Sequence, residues 1–328
     1  MNIAFLVSRP DKPSTKFRVQ SYLPLLQKEG VNANVFPLSK KIVKRWKIFF
    51  YLNHYDLVFI QKKLFSFWEL VYIRRQAKKL IYDFDDAVMF KKGEKMDPTN
   101  PVRQKRFMRT VRICDWVIAG NQFLLREAKL FSDRISIIPT PVDTERYIPR
   151  EKKRSTEVTV GWLGSKSTVN YLKPLVPVCS ELRNRFPNLK FKLVSDSFQE
   201  LERFEGIQKI WKEEEEVWDL QSFDIGIMPL PDDPWTNGKC GFKILQYQAA
   251  GLPVVCSPVG INREIVTDGF NGYLANSPQE WIDKLSRLIT SPELRSRMGK
   301  AGRERVEKQY SLKVIWPQFF MTLKRTVN

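Results

Sequence analysis

The sequence predicts an α/β protein made of two successive domains, each built on a parallel sheet. Both halves of the 328-residue chain open on an apolar run of buried-strand type, NIAFLVS at 2–8 and VTVGWL at 158–163. Loops, helix patterns and further short apolar runs then alternate, as in a doubly wound sheet. Residues 140–156 are polar with two prolines, as expected of a linker. We therefore predict two Rossmann-like domains that face a central cleft, over 1–150 and 151–310, with a C-terminal helix at 311–328 that packs back on the first domain.

The first half alternates strands and helices up to residue 139. After the opening strand we expect helix 18–29, strand 31–36, strand 56–61, helix 65–79, strand 80–83, helix 101–112, strand 116–119, helix 123–130 and strand 135–139. Ligands of such sheets bind where the parallel strands end. The loop after the first strand therefore brings Arg9, Lys16 and Arg18 to a predicted cleft. Asp83-Phe84-Asp85-Asp86 ends another strand, so its carboxylates are expected at the same edge, with loop and helix capping as the alternative.

The second half repeats this alternation. After the strand 158–163 we expect a loop at 164–168, helix 169–186, strand 190–194, helix 213–220, strand 224–229, a helix that begins near 239–242, strand 254–256, and helices from 277 to the C-terminus.

The stretch 236–273 contains the strongest signal for a ligand site. Thr236-Asn237-Gly238 supplies cap and turn residues for the helix that begins near 239–242. Lys239, Lys243 and Gln246 lie on one face of that helix. A helix start with glycines and lysines nearby attracts anions, so this start is a candidate phosphate site. The alternative is an ordinary helix with a solvated lysine face.

The formal net charge of +19 is concentrated in the first half. Residues 1–150 contain 29 Lys and Arg against 14 Asp and Glu, whereas the remainder contains 26 against 22. Basic and aromatic residues mix in segments 39–50, 62–79 and 102–112, which favours an anionic partner such as a membrane surface. Solvated helices are the alternative. We expect no nucleic-acid partner, because no nucleic-acid-binding motif is present.

Composition also excludes several classes of site. No apolar run is long enough to cross a bilayer, and the N-terminus lacks the pattern of a signal peptide. The four cysteines are scattered and His54 is the only histidine, which disfavours a disulfide framework, a zinc site and a Ser/His/Asp site. Cys240, beside Lys239, is the thiol whose position suits a lowered pKa. We expect a cytoplasmic protein, with the inner face of the cell membrane as a candidate surface.

The residues FDIGIMPLPDDPW at 223–235 and GKCGFKILQYQAAGLPVVCSPVGINREIVTDGFNGYL at 238–274 resemble the donor-binding region of group 1, family 4 glycosyltransferases of GT-B fold. The opening strand, the segment IIPTPVDTERY and the strand VGWLGS add matches in the family's order. The resemblance covers nearly the whole chain. It implies transfer of a sugar from a nucleotide-diphosphate sugar, with retention and without a metal or cofactor. The donor would lie on the second domain and a glycan or lipid-linked acceptor on the first, in synthesis of a surface polysaccharide.

The resemblance also implies roles for individual residues. Donor binding falls to Gly164, Ser165, Lys166, Ser167, Thr168, Lys239, Gly241, Phe242, Gln246, Ser257, Val259, Gly260 and Glu264, and the acceptor cleft to Arg9, Lys16 and Arg18. For Glu264, a salt bridge within the fold is the alternative. We expect Lys243 to neutralise the leaving diphosphate. Attack by the acceptor hydroxyl would be assisted by Asp85 or Asp86, which would orient or deprotonate it, or by the leaving phosphate itself. Asp83-Phe84-Asp85 also fits the DxD metal motif of the other glycosyltransferase fold, but so short a pattern is common by chance and we predict no metal site.

The chain departs from the family at a pair of acidic positions and in the loop after strand 158–163, where relatives tend to carry an Arg and then a Lys and this chain has Lys166 as the nearby cation. Relatives commonly have two Glu residues separated by seven positions, where this chain has Gly238 and Gln246. Gln246 retains the ability to hydrogen-bond a ribose hydroxyl, whereas Gly238 has no side chain to offer. We therefore expect a divergent glycosyltransferase. The alternative is a catalytically inactive relative that acts as a binding or scaffold protein.

Overall fold

The computed structural model describes residues 1–91, 100–150, 156–198, 201 and 204–328. Within them the backbone forms two six-stranded sheets, and every strand pairing is parallel. The predicted α/β class with two parallel sheets is therefore confirmed. No helix of the described residues is long and apolar enough to cross a bilayer.

The first sheet has the strand order β2-β1-β3-β4-β5-β6. Its elements are β1 (Asn2–Val7), α1 (Pro13–Arg18), α2 (Leu23–Lys28), β2 (Asn32–Pro37), α3 (Ile42–Phe50), β3 (Leu57–Gln61), α4 (Phe67–Gln76), β4 (Leu80–Phe84), α5 (Pro101–Ile113), β5 (Trp116–Ala119), α6 (Gln122–Lys129) and β6 (Ile135–Ile137). The order reverses between β1 and β3. The carboxyl ends of these two strands therefore flank the position where a doubly wound sheet leaves room for a ligand.

The second sheet has the strand order β12-β11-β10-β7-β8-β9. The elements from residue 158 are β7 (Val158–Leu163), α7 (Lys166–Val169), α8 (Val176–Arg185), β8 (Leu189–Ser195), β9 (Ile207–Ile210), α9 (Glu216–Gln221), β10 (Ile225–Met228), α10 (Pro234–Asn237), α11 (Phe242–Ala249), β11 (Val254–Cys256), α12 (Asn262–Ile265), β12 (Tyr273–Leu274), α13 (Pro278–Thr290), α14 (Pro292–Gln309) and α15 (Leu312–Val327). This is the order of dinucleotide-binding Rossmann domains, with its reversal between β7 and β10.

Both faces of the first sheet are buried, which explains its continuous apolar strands. Along β1, Ala4 and Leu6 pack into one hydrophobic cluster, whereas Ile3, Phe5 and Val7 pack into another on the opposite face. The alternation follows from the two-residue period of a strand. Most predicted strands agree with the structure for this reason, because a run with both faces buried is a local and strong signal.

Two predicted helices are interrupted, and two strands, β9 and the two-residue β12, were missed. The pattern at 18–29 is divided by a 3₁₀ turn at Gln20–Tyr22, and the pattern at 169–186 contains a 3₁₀ segment at Asn170–Leu175 that includes Pro174. Proline cannot donate the backbone hydrogen bond that an α-helix interior needs. Strand β9 was not predicted, because it lies at the sheet edge with mostly exposed side chains and lacks an apolar run.

The chain divides into two compact units. The first unit comprises Met1–Pro141, Asp233–Cys240 and Leu312–Asn328, and the second comprises Val142–Asp232 and Gly241–Ser311. The chain first passes from one unit to the other between Pro141 and Val142, which lies within the predicted linker at 140–156. The charge run of this linker, at 151–154, lies outside the described residues. Nothing in the sequence pattern indicated that Asp233–Cys240 belongs with the first sheet.

The C-terminal helix α15 contributes to the core of the first unit. Phe319 and Leu323 are buried in the same cluster as Phe5 and Phe59 of the sheet. The Phe319 ring stacks on Tyr22 with centroids 4.0 Å apart. Helix α15 thus packs in the same hydrophobic cluster as strand β1.

Replacing Phe319 by alanine tests this packing. Because Phe319 is 2% exposed, we expect Phe319→Ala to lower the free energy of unfolding by about 3–5 kcal/mol. Met321 lies on the same helix and is 64% exposed, so Met321→Ala should change it by less than about 0.5 kcal/mol. Urea unfolding of the two variants measures the difference, and equal effects would contradict the packing of α15.

Candidate functional site

Three predicted segments of the second unit come together around the start of α11. The Lys243 ammonium lies 3.4 Å from Oγ1 of Thr168, in the segment after β7. Gly241 packs closely against Ile261 and Ile265, which follow the loop after β11. Since β7 lies at the reversal of strand order, the start of α11 lies where ligands of this sheet type bind.

The Lys243 side chain is held by a hydroxyl and an aromatic ring. Its Nζ lies 5.3 Å from the centre of the Trp162 ring, a distance at which the ring face attracts a cation. Trp162 is buried at the end of β7, and a Cβ on Gly164 would lie 2.2 Å from its ring. The absence of a side chain at Gly164 thus leaves room for the indole beneath Lys243.

The predicted loop at 164–168 is partly helical. Its residues Lys166–Val169 form α7, which Ser165 caps. The Ser165 amide donates to Thr168 Oγ1 at 3.2 Å, and the Ser165 and Ser167 hydroxyls are 3.0 Å apart. The Lys166 amide donates to the Asp196 carboxylate. The turn therefore satisfies much of its own polar surface, and Thr168 is the member that meets Lys243.

The start of α11 depends on a left-handed glycine. Gly241 precedes the helix with φ of 64°, where residues with a β-carbon are strained. A Cβ at this position would also lie 2.5 Å from Ile265 Cδ1. The assignment of Thr236-Asn237-Gly238 as caps of this helix is wrong, because these residues close the separate turn α10. The Thr236 amide donates to Asp233 Oδ1 at 2.7 Å, so Asp233 caps α10.

The remaining donor candidates differ in exposure. Ser257 and Val259 are buried, Phe242 and Gly260 are partly buried, and Glu264 is exposed. The Ser257 hydroxyl accepts from the Leu230 amide at 2.9 Å, which ties the loop after β11 to the end of β10. The Glu264 carbonyl accepts a hydrogen bond from Arg305, and its carboxylate forms no ion pair among the described residues.

Gln246 belongs to a buried polar cluster. It is 3% exposed, and its Nε2 donates to Tyr147 Oη at 3.0 Å and to Glu216 Oε1 at 3.2 Å. Glu216 also accepts from the Tyr147 hydroxyl and, at 2.9 Å, from Trp211 Nε1. Burial and the Glu216 carboxylate raise the pKa of Tyr147 above its ordinary value, so the phenol stays protonated. A carboxylate from α9 therefore lies beside the side-chain amide of Gln246.

In the first unit, three aspartates at the carboxyl end of β4 have different surroundings. Asp83 is buried against Arg18, which donates to both of its carboxylate oxygens. Asp85 lies 3.0 Å from the Lys62 ammonium, which also bonds Asp86. The side chains of Asp85 and Asp86 are 12% and 25% exposed. Asp86 is therefore the most accessible of the three.

The segment that carries Lys239 packs on this cluster. The Lys239 ammonium is 3.8 Å from Asp86 Oδ1, and the Lys239 carbonyl accepts from Asn121 Nδ2 at 2.9 Å. A Cβ on Gly238 would lie 2.6 Å from Ala87 Cβ and 2.8 Å from its amide nitrogen. The two lysines expected to share one site thus belong to different units, Lys239 to the first and Lys243 to the second.

The predicted acceptor-cleft cations also differ from one another. Arg9 is exposed and paired with Asp11, and Lys16 is partly buried on α1. Arg18 is 3% exposed and donates to the Ile138 carbonyl at 3.0 Å and Thr140 Oγ1 at 3.1 Å, as well as to Asp83. Arg18 therefore supports the strand ends from within the core.

Two kinds of chemistry are not supported by the described residues. No group of three or more His, Cys, Asp or Glu side chains within them has the arrangement of a metal site, and Asp83 and Asp85 of the DxD pattern each pair with a cation. The expected lowering of the Cys240 pKa is wrong. Burial and the Asp85 charge raise the pKa of this thiol, because the uncharged form is favoured in the core.

The sequence reasoning missed Lys62, Glu216 and Tyr147. Lys62 directly follows the carboxyl end of β3. Since ligands of parallel sheets bind at the carboxyl ends of strands, this position could have marked Lys62 as a candidate site residue. Glu216 lies in the run EEEE at 213–216, and such a charge run is typical of a solvated helix face. Tyr147 lies in the segment IIPTPVDTERY, but its partner Gln246 is 99 residues away. Such contacts depend on the fold and have no local pattern.

A glutamate introduced at position 238 tests the packing of this segment. We expect Gly238→Glu to lower the free energy of unfolding by about 1–3 kcal/mol, because the new side chain would overlap Ala87. Thermal or urea unfolding measures the loss. Ala87→Gly opens one of the two close contacts, so the double variant should recover part of the loss. A stable Gly238→Glu protein would contradict the close approach.

Comparison with known proteins finds a family match in the second half of the chain. Residues 143–305 match the family model described as Glycosyl transferases group 1. The chain is 24% identical over 200 residues to D-inositol 3-phosphate glycosyltransferase of Corynebacterium aurimucosum, which covers 52% of this chain and 46% of that relative. It spans 18% and 23% of the length of two further curated relatives. The chain thus aligns with less than half of each of these proteins.

Solved structures match over nearly the full chain. HepE of Anabaena, in complex with UDP and glucose, superposes with a TM-score of 0.72 at 16% identity and covers 99% of this chain and 100% of its own. Sucrose-phosphate synthase of Thermosynechococcus elongatus superposes with a TM-score of 0.79 at 15% identity over 99% and 98%. The chain has the GT-B fold, and its residues 143–305 match the model of the glycosyl transferases group 1 family.

Proposed function

We propose that the protein is a glycosyltransferase that moves a sugar from a nucleotide-diphosphate sugar to a hydroxyl of a glycan or lipid-linked acceptor. The observation that carries the proposal is the position of Lys243 within the family-matched segment. Its ammonium lies beside Thr168 at the reversal of strand order, where sheets of this type bind nucleotides. We place the product in synthesis of a surface polysaccharide, as the sequence resemblance implies.

Lys243 accounts for the main electrostatic demand of the reaction. A nucleotide diphosphate that leaves the sugar gains negative charge, which a fixed cation in a shielded site stabilises. Thr168 and the Trp162 ring hold the Lys243 ammonium in place. The backbone N–H groups that follow Gly241 at the start of α11 add partial positive charge. Gln246, beside Glu216, is the proposed ribose contact.

The acceptor is assigned to the first unit, at the strand ends that carry Asp86. As the most exposed of the three aspartates, Asp86 would accept a hydrogen bond from the incoming hydroxyl and orient it. Retention at the anomeric carbon and independence from metals complete the proposal. The ion pairs of Asp83 and Asp85 support the latter, because they occupy the carboxylates that a DxD metal site would need.

Removing the Lys243 ammonium should weaken donor binding. A charge-assisted hydrogen bond is worth about 1.5–3 kcal/mol, so we expect Lys243→Ala to bind the donor roughly 10- to 100-fold more weakly. Thermal shift with a panel of UDP- and GDP-sugars measures this, because a ligand of the folded state raises Tm. UDP-glucose is the first probe, since HepE was crystallised with UDP and glucose. Lys300→Ala, an exposed lysine of the same unit, is the control.

The outcomes separate the candidates. Stabilisation of the wild type that Lys243→Ala loses and Lys300→Ala retains supports the donor site. Equal stabilisation of all three proteins refutes the role of Lys243. Stabilisation without transfer to any acceptor favours the inactive relative. With an active pair of substrates, NMR of the product's anomeric configuration tests retention, and an undiminished rate in EDTA tests metal independence.

We further propose that the first unit contacts an anionic membrane surface through α3 and α4. On α3, Val43, Lys47 and Phe50 are exposed at helical spacing on one face. On α4, Trp68 is 73% exposed, and the Arg109 guanidinium lies 4.9 Å from the ring centre of the neighbouring Phe67. Exposed aromatic and aliphatic side chains among cations fit the interfacial region of an anionic bilayer.

Matched tryptophan variants test the membrane contact. We expect Trp68→Ala to reduce binding to phosphatidylglycerol-containing vesicles several-fold in sedimentation assays, because it removes buried apolar area from the interface. Trp218 of the second unit is equally exposed, at 71%, and Trp218→Ala should bind like the wild type. Binding to neutral phosphatidylcholine vesicles that equals binding to anionic ones would overturn the electrostatic part.

A further inference from the structure

We propose that Lys62 positions the Asp85–Asp86 pair so that Asp86 presents one ordered oxygen to the acceptor hydroxyl. The inference rests on the proposed glycosyltransferase function and adds a residue to it. Lys62 acts through the aspartates and does not meet the substrate, so it is a positioning residue.

Lys62 lies at the reversal of strand order in the first sheet. It directly follows β3, which neighbours β1 on one side and β4 on the other. In the β3–β4 register Gln61 pairs with Asp83, and the Lys62 amide donates to the Asp83 carbonyl at 2.7 Å. Lys62 therefore stands beside the point where Asp85 and Asp86 leave β4.

The Lys62 ammonium bridges the two aspartates. It lies 3.0 Å from Asp85 Oδ1 and bonds Asp86 Oδ2, and its side chain is 19% exposed. Burial opposes the charge, but the two carboxylates outweigh it and raise the pKa of the Lys62 ammonium. The bridge is therefore present throughout the neutral pH range.

The backbone of Lys62 is strained. Its φ of 58° makes it the only residue other than glycine with a positive φ among those described. A left-handed conformation costs a residue with a β-carbon roughly 1–2 kcal/mol, and glycine would avoid the cost. Strain of this kind persists where the surrounding structure over-determines it, often at a functional site. Here the lysine supplies an ammonium group that contacts both aspartates, which a glycine could not provide.

Lys62 supplies the cation that the two adjacent carboxylates share. Among the described residues, Lys62 is the only basic side chain within ion-pairing distance of Asp85. The Asp85 backbone is fixed separately, because its carbonyl accepts from Cys240 Sγ at 3.2 Å and Gly120 packs against its Cα. The Asp86 carboxylate also lies 3.8 Å from the Lys239 ammonium. Loss of Lys62 would remove the bridge between the two carboxylates, and their mutual repulsion would change the orientation of the Asp86 side chain.

The choice of substituent separates positioning from folding. Lys62→Gly removes the ammonium and also relieves the backbone strain, so its Tm should equal or exceed that of a Lys62→Ala protein. We expect Lys62→Gly to keep the donor-induced rise in Tm with UDP-glucose and to lose roughly 10- to 100-fold in kcat/KM for the acceptor. Lys62→Arg keeps the charge and should recover most of that loss. Lys129→Ala, an exposed lysine of the first unit, should transfer like the wild type.

Two measurements decide the inference, with UDP-glucose as donor and octyl β-D-glucopyranoside as the acceptor probe. Wild-type transfer rates in Lys62→Gly, or no recovery in Lys62→Arg, would overturn it. The second measurement is the carboxyl carbon-13 resonance of Asp86, assigned with Asp86→Asn, which needs no substrate. It should shift in Lys62→Gly and return towards its wild-type position in Lys62→Arg. An unmoved resonance overturns the inference even if the proposed function holds, and a shifted one supports the bridge even if transfer to the probe fails.

Discussion

The segment 238–241 packs closely against its surroundings at glycine positions, where a β-carbon would not fit. Both candidate sites include residues of this segment or of the helix that follows it. Gly238 lies against Ala87, and the neighbouring Cys240 approaches Gly120 so closely that a Cβ there would lie 2.3 Å from its sulfur. Gly241 then takes the left-handed conformation that starts α11. These close approaches bring Lys239 to Asp86 in the first unit and Lys243 to Thr168 in the second.

Packing also bears on positions 238 and 246, at which the sequence resemblance leads one to expect glutamates. A glutamate at position 238 would have to occupy the volume of Ala87. At position 246 the side chain is buried, and a charge there would lie next to Glu216. Two neighbouring carboxylates in the core would repel and raise each other's pKa, whereas the amide of Gln246 donates to Glu216 directly. Gly238 and Gln246 are therefore consistent with the packing around them.

Both units place cations at the end of a strand beside the reversal of strand order. In the second unit Lys243 is held by Thr168, after β7, and by the ring of Trp162. In the first unit Lys62 follows β3 and holds carboxylates that follow β4. The two arrangements differ in chemistry. Lys243 contacts the Thr168 hydroxyl and the Trp162 ring, while Lys62 is paired with the carboxylates of Asp85 and Asp86.

The sequence alone predicts the α/β class, the position of most strands and the two segments that contain Thr168 and, further along the chain, Gly241 and Lys243. A strand buried on both faces is a run of apolar residues, and a family motif is a run of adjacent positions, so both are local signals. Three features could be seen only in the tertiary structure. Asp233–Cys240 belongs to the first unit. Lys62 bonds Asp86, which is 24 residues away in the sequence, and Gln246 bonds Glu216, which is 30 residues away. These features arise from strand register and from close approaches between distant backbone segments, which become defined only when the sheets have formed.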